Sequence, residues 1–354
     1  MSRYLSERFA LLEPYTPGEQ PRDMAYVKLN TNESPFPPPP EAARAAAQAA
    51  ERLNLYSDPR LTNLRKELSR AYGVKEENVL CFNGSDEALL MCFMAFCDGQ
   101  HPAAFADITY GLYPVLANVT GAPFEVLPLR DDLTLNVNDY VGIGKTVFIA
   151  NPNAPTGIAL APEEIRRIAQ SNPHNAVVVD EAYVDFGAES CLGLLNECEN
   201  LVIVRTFSKS RSMAGARLGF VIAGEELIRD LDALRYSVNP YNVNSMTLAA
   251  GEATVKNEAW MHSCVQTICL NRAWTEKELK ALGFEMTPSK ANFLFVRHPR
   301  IGGKELYLKL KARGVLVRHF DRDRIRDFNR VTVGSLDDMK ALVRETKAIL
   351  EEIK

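Results

Sequence analysis

No run of about 18 uncharged apolar residues occurs in the chain, so no transmembrane helix is expected. No apolar core follows the opening residues Met1 to Arg8, so the chain reads as a cytoplasmic protein without a secretory leader. An excess of one charge is also lacking. The 41 basic and 45 acidic residues leave a net charge of −4, which gives no reason to expect nucleic acid or an anionic membrane as partner. Cysteine occurs seven times, an odd number, and never as C-x-x-C. Cys81, Cys92, Cys97, Cys191, Cys198, Cys264 and Cys269 lie mostly within apolar runs. Reduced core thiols are therefore expected, with neither disulfides nor a metal centre. There is no internal repeat.

What is present is an alternation. After a Pro-rich arm ending in Pro37 to Pro40, an Ala-rich helix is expected over Glu41–Leu53 and an amphipathic one over Leu61–Tyr72, stopped by Gly73. Short apolar strands are expected at 79–82, 103–106, 124–127, 146–150, 176–179, 201–204 and 219–223, with helices at 87–96 and 162–170 between them. Continuous apolar strands of this kind predict an α/β fold, a mostly parallel sheet covered by helices on both faces. A helical stretch over Ser245–Ala281 then leads to a β-α-β-β-α pattern, a smaller α+β domain. The expected division is an arm over 1–40 packing with the small domain, a large domain over 41–244 and a small one over 245–354.

Several polar residues sit at the exits of these strands. Lys209 follows Thr206-Phe207-Ser208, Arg217 comes eight residues on, and Asp180 closes an apolar run with Tyr183 three residues later. A lysine, an arginine, an aspartate and a tyrosine so placed suit pyridoxal phosphate. The lysine can form a Schiff base with the aldehyde, the aspartate can pair with the protonated ring nitrogen, and the arginine can take a phosphate oxygen. Burial and the neighbouring Arg217 are expected to depress the pKa of Lys209. Gly84-Ser85-Asp86 lies between a strand and a helix. That is a natural anion site, although Ser or Asp there also serves as an ordinary helix cap. Thr206 and Ser208 add hydroxyls. Tyr183 can bond the ring oxygen and Tyr110 can stack on the ring. Arg318 and Arg330 exit strands of the small domain and can hold carboxylate or phosphate, or else pair with Asp321, Asp323 or Asp327 at the surface.

These residues resemble the fold type I pyridoxal-phosphate aminotransferases (the aspartate-aminotransferase-like fold), and most closely their histidinol-phosphate aminotransferase branch. The resemblance runs the length of the chain. It rests on Pro14 to Gly18, Leu29 to Glu33, Asn54-Leu55-Tyr56, Gly84 to Glu87, Thr109-Tyr110-Gly111, Asn151 to Gly157, Asp180 to Tyr183, Ser208-Lys209, Arg217 to Phe220 and Arg330 to Gly334. It implies that Lys209 bonds the cofactor and that Asp180, Tyr183 and Tyr110 hold its ring. Gly84, Ser85, Asp86, Thr206, Ser208 and Arg217 would surround its phosphate. Tyr56 would reach that phosphate from a partner subunit, making a homodimer with shared active sites. Arg330 would take the carboxylate of the amino-acid co-substrate, while Tyr15, Asn32 and Arg318 would help take a substrate phosphate.

The implied activity is transamination of a phosphorylated amine, histidinol phosphate, with the 2-oxo acid 2-oxoglutarate, a step of histidine biosynthesis. Decarboxylation of threonine phosphate and transamination of aromatic amino acids remain as alternatives. A regulatory domain that merely kept the fold would have no reason to retain Lys209, Asp180 and Arg217 together. One position departs from the family pattern. Ala154 stands where an asparagine usually bonds the ring oxygen. Either Asn153 substitutes through a small backbone shift, or Tyr183 suffices alone.

Overall fold

Strands apolar on every side chain need cover on both faces, and the computed structural model, which describes residues 2–9 and 12–353, supplies it. The arm contributes a two-residue strand, β1 (Val27–Lys28). Seven strands then build the large sheet: β2 (Val79–Phe82), β3 (Ala103–Ala106), β4 (Phe124–Leu127), β5 (Thr146–Ala150), β6 (Val177–Asp180), β7 (Leu201–Thr206) and β8 (Gly219–Ala223). Their order is β2-β8-β7-β6-β5-β3-β4. Only β8 runs against its neighbours; the other adjacent pairs are parallel. Every strand but the edge strand β4 is buried along its whole length.

The helices flanking this sheet are α1 (Pro40–Ala50), α2 (Thr62–Tyr72), α3 (Ser85–Phe96), α4 (Tyr113–Thr120), α5 (Pro162–Ser171) and α6 (Glu225–Val238). Two of them, α4 and α6, add to those expected. Pro114 at the start of α4 and Gly121 in left-handed conformation at its end, and Glu225 and Glu226 in the first turn of α6, are the boundary signals that mark them.

The long helical stretch breaks at Lys256–Asn257 into α7 (Ser245–Val255) and α8 (Glu258–Ala281). The packing changes sides at the break. Helix α7 lies on α1 and α2, with Ala250 and Val255 in the core of the large sheet. Ile268 and Leu279 of α8 join the second core. The second core therefore takes its first helix from α8, while α7 belongs to the first. That domain is a four-stranded antiparallel sheet of β9 (Glu285–Met286), β10 (Phe293–Arg297), β12 (Arg318–His319) and β13 (Asn329–Thr332), with α9 (Gly303–Ala312) and α10 (Leu336–Glu352). The strand expected over 315–318 is split, because β11 (Val315–Leu316) turns away to pair in parallel with β1. This pairing, with Leu29 in the small core and Thr332 N–H on the Leu29 carbonyl at 2.9 Å, stitches the arm to the small domain. Among the described residues no helix is long and apolar enough to cross a membrane.

Candidate active site

Because β2, β3, β5, β6 and β7 are parallel and β8 opposes them, five strand ends and the start of β8 share one edge of the sheet. In open α/β sheets that edge is where ligands bind. A cavity of about 430 Å³ lies there, closed from the other side by the arm and the small sheet.

At one end of the cavity β2 turns through Gly84 into α3. Gly84 has φ +86°, and no side chain caps the helix. A Cβ on Gly84 would sit 2.7 Å from Nη2 of Arg217, and one on Gly219 would sit 2.4 Å from the Ser85 nitrogen. The two glycines thus let the guanidinium, the loop and the helix start close on one another. Arg217 Nη2 donates to Asp86 Oδ2 at 2.8 Å, and the Tyr110 hydroxyl donates to Asp86 Oδ1 at 2.8 Å. Thr206 and Ser208 join their buried hydroxyls at 3.0 Å. An uncapped helix start, a guanidinium and two hydroxyls facing one cavity make an anion cup.

In the middle of the cavity stand Asp180 and Lys209. Asp180 is the last residue of β6 and is 5% exposed. Burial pushes its carboxyl up to about 7, against the pull of the Ala182 N–H at 3.1 Å and the Tyr113 hydroxyl at 3.3 Å. Lys209 lies in the turn after β7, its Nζ donating to the Thr31 carbonyl at 3.2 Å. Burial lowers its pKa to about 8, and the guanidinium of Arg330 is the next cause. Arg217, the cation expected in that role, contributes less than Arg330. Tyr183 completes the centre, its ring 5.8 Å from Lys209 Nζ.

The far wall belongs to the small domain. Arg330 lies between the rings of Phe293 and Phe320, at 5.4 and 5.6 Å. It donates to the Asn30 carbonyl, and its Nε is sealed from water without a partner. Arg318 also faces Phe320 at 5.6 Å and donates to the carbonyls of Thr16 and Pro17. It therefore holds the segment carrying Tyr15, whose ring meets Tyr110 edge-on at 6.0 Å. Among the described residues neither arginine has a carboxylate within 4.0 Å, so the surface ion pairs considered for them do not form.

Two expected residues have their side chains engaged elsewhere. Asn153 does not line the cavity. Its side chain is used up within its own loop, accepting from Thr109 and donating to the Ile108 carbonyl and to Thr156. Asn32 lines the cavity, and its side-chain amide is bonded to Thr332 and Tyr183. Tyr56 lies apart from its own cavity, 82% exposed and stacked on Tyr241 at 4.4 Å. Three residues were not anticipated: Tyr113 on Asp180, Thr332 on Asn32, and Phe320 between the arginines. Thr332 alone had a signal, since strand alternation puts it on the same face as Arg330.

A family model described as aminotransferase class I and II matches residues 25–345. The chain belongs to that family. It is 42% identical over 99% of its length to the whole of the histidinol-phosphate aminotransferase of Brachyspira hyodysenteriae. It is 38% identical, end to end in both chains, to the enzyme of that name from Clostridium botulinum strain Okra. Among solved structures, the putative histidinol-phosphate aminotransferase of Erwinia carotovora superposes with a TM-score of 0.85 at 24% identity, covering 92% of this chain and 96% of that one. The Sinorhizobium meliloti histidinol-phosphate aminotransferase, solved with pyridoxal-5'-phosphate, gives 0.85 at 22%, covering 92% and 91%. The fold is that of the type I aminotransferases. Pyridoxal phosphate fits the residues present. The uncapped α3 and Arg217 suit its phosphate, the buried Asp180, which has no cationic partner among the described residues, suits a protonated ring nitrogen, and Lys209, less basic than an ordinary lysine, suits its aldehyde.

Proposed function

We propose that the protein uses pyridoxal 5'-phosphate to transfer the amino group of histidinol phosphate to 2-oxoglutarate, in histidine biosynthesis. The observation that carries this is the pair of guanidiniums facing Phe320. Among the described residues Arg318 and Arg330 have no carboxylate within 4.0 Å, and they line one cavity with Lys209. Two substrates must visit the same cavity, one ending in phosphate and one carrying carboxylates. Arg330, deeper and set between two rings, suits the 2-oxo acid carboxylate. Arg318 and Tyr15, nearer the mouth, suit the phosphate.

When bound, the cofactor supplies an aldehyde that takes up the amino group and a protonated ring that accepts electrons. Asp180 keeps the ring nitrogen protonated, and pairing with that cation returns its carboxyl to the ionised form. Tyr110 holds Asp86, which holds Arg217, so the phosphate cup and the ring wall are fixed together. Lys209 would bond the cofactor's aldehyde and, as a free amine, would move a proton to and from the substrate Cα, a task suited to an amine whose pKa is near 8.

The protein acts in the cytoplasm as a homodimer. Leu53, Leu55, Tyr56, Val238 and Tyr241 leave an apolar patch exposed around the Tyr56–Tyr241 stack. A second copy would cover it and receive Tyr56 at its own phosphate cup.

The decisive assay offers histidinol phosphate and phenylalanine, each with 2-oxoglutarate, and threonine phosphate without a keto acid. A preference for histidinol phosphate is expected. Preference for phenylalanine, or release of carbon dioxide from threonine phosphate, would replace this reading with one of the alternatives.

A further inference from the structure

Ala154 offers no polar atom where the resembling enzymes place an asparagine. It is 6% exposed and packs with Ala291 and Phe293 beside Tyr183. Asn153 is committed elsewhere. The remaining group at this corner is the Tyr183 hydroxyl, which carries one proton and can also accept.

Three bonds determine where that proton points. The Asn32 backbone N–H donates to Thr332 Oγ1 at 2.9 Å. The Thr332 hydroxyl sends its own proton to Asn32 Oδ1 at 3.0 Å. With its oxygen so engaged, the amide can turn only its Nδ2 to Tyr183, at 3.0 Å from the hydroxyl. Asn292 Nδ2 donates to the Asn32 carbonyl at 3.0 Å and clamps the backbone. Asn32 is 1% exposed and has φ 56°, a left-handed conformation that asparagine tolerates better than most residues. The Tyr183 oxygen thus accepts from Asn32. Its proton has no other acceptor among the described residues, and Tyr183 lines the cavity.

We propose that Thr332 and Asn32 are positioning residues, a relay that aims the Tyr183 proton at the cofactor's ring oxygen and replaces the asparagine absent at 154. This rests on the reading above that Tyr183 faces the ring. A donor to the ring oxygen draws electron density from it, so the oxygen holds the proton it shares with the lysine nitrogen less tightly. Losing or misdirecting the donor raises the pH at which that proton leaves. The event is visible as the pH midpoint of the bound cofactor's absorbance, independent of turnover.

The test titrates that midpoint in the cofactor-loaded protein and in four variants. Tyr183→Phe should raise it by about one to two pH units, the size of a lost hydrogen bond to a charged group. Asn32→Gly, which keeps the left-handed backbone, should raise it by about half a unit to one unit. Thr332→Val, nearly isosteric, should move it the same way by less. Adding Ala154→Asn to Asn32→Gly should bring it back at least halfway. Wild-type midpoints for Asn32→Gly and Thr332→Val, beside a raised one for Tyr183→Phe, would overturn the relay and leave Tyr183 acting alone. An unmoved Tyr183→Phe would overturn the relay together with the placement of Tyr183 at the ring.

Discussion

Arg205 and Arg330 both lie on strands and both carry a guanidinium into the interior, but their surroundings are opposite. Arg205, on β7, points away from the cavity. Its Nη2 lies 2.7 Å from Glu181 and its Nη1 3.1 Å from Asp185; burial pulls its pKa down, but Glu181, Tyr72 and Asp185 outweigh that and raise it. Arg330 faces the cavity with two aromatic rings and, among the described residues, no carboxylate, and burial pushes its pKa down. Asp180 and Lys209 share its situation, each shifted toward its neutral form. Behind the sheet edge, the protein matches the charges it buries. In front of it, a cation, an acid and an amine are left for a ligand to match: a carboxylate, a ring nitrogen and an aldehyde. A buried charge with a protein partner is structural, and one without a partner marks a binding site.

Substituting each arginine is the sharpest way to break this contrast, and the larger effect belongs to Arg205. Arg205→Met would leave Glu181, whose side chain is fully buried, without its cation. It would also free Asp185, which Ser210 beside Lys209 bonds at 2.5 Å. The expected cost is about 3–5 kcal/mol of unfolding free energy, read from denaturant midpoints. Arg330→Met should cost stability less, because it removes a desolvated cation that has two rings and one carbonyl but no carboxylate partner among the described residues. Its effect should fall on the 2-oxo acid, with kcat/KM lower by about 100- to 1,000-fold, as for loss of one partner of a buried charged contact. Arg330→Lys should recover only part of this, since an ammonium cannot bond a carboxylate through two parallel N–H groups. Equal losses of stability in both methionine variants would erase the distinction.

The sequence shows one side of this contrast more clearly than the other. Strands such as Val79–Phe82 and Ala103–Ala106 are readable because every residue is apolar, and Lys209, Asp180 and Arg217 because polar residues at the ends of such strands are exceptional. The partner of Arg205 was not readable. Glu181 and Asp185 look like ordinary loop acids until β6 and β7 are paired in register, with Asp180 opposite Val204. The bond from Asn32 to Tyr183 joins residues 151 positions apart, and no local pattern encodes it. Ala154 was visible as a departure, but its compensation exists only once the arm is laid across the small sheet. The change of packing partner within 245–281 is hidden for a related reason. An uninterrupted helical pattern does not record that its first third packs on α1.

The smallest expected effect concerns the unmatched acid and amine without cofactor. Asp180 titrates near 7 in the folded chain, against 3.8 for an ordinary aspartate. Between roughly pH 4 and 7 the folded protein therefore holds a proton that the unfolded chain has released, and stability falls as pH rises. Lys209 titrates near 8 against 10.5. Between about 8 and 10.5 the unfolded chain holds the extra proton, and stability rises with pH. Both groups are charged and unmatched between these windows, so the cofactor-free protein should be least stable near pH 7–8. Each slope is bounded by the ~1.4 kcal/mol per pH unit of one full proton. Unfolding free energies of the cofactor-free protein from pH 5 to 10 would show this minimum, and Asp180→Asn should remove the acid limb alone. A wild-type profile that Asp180→Asn leaves unchanged would mean that the cavity solvates Asp180 well enough to need no ligand.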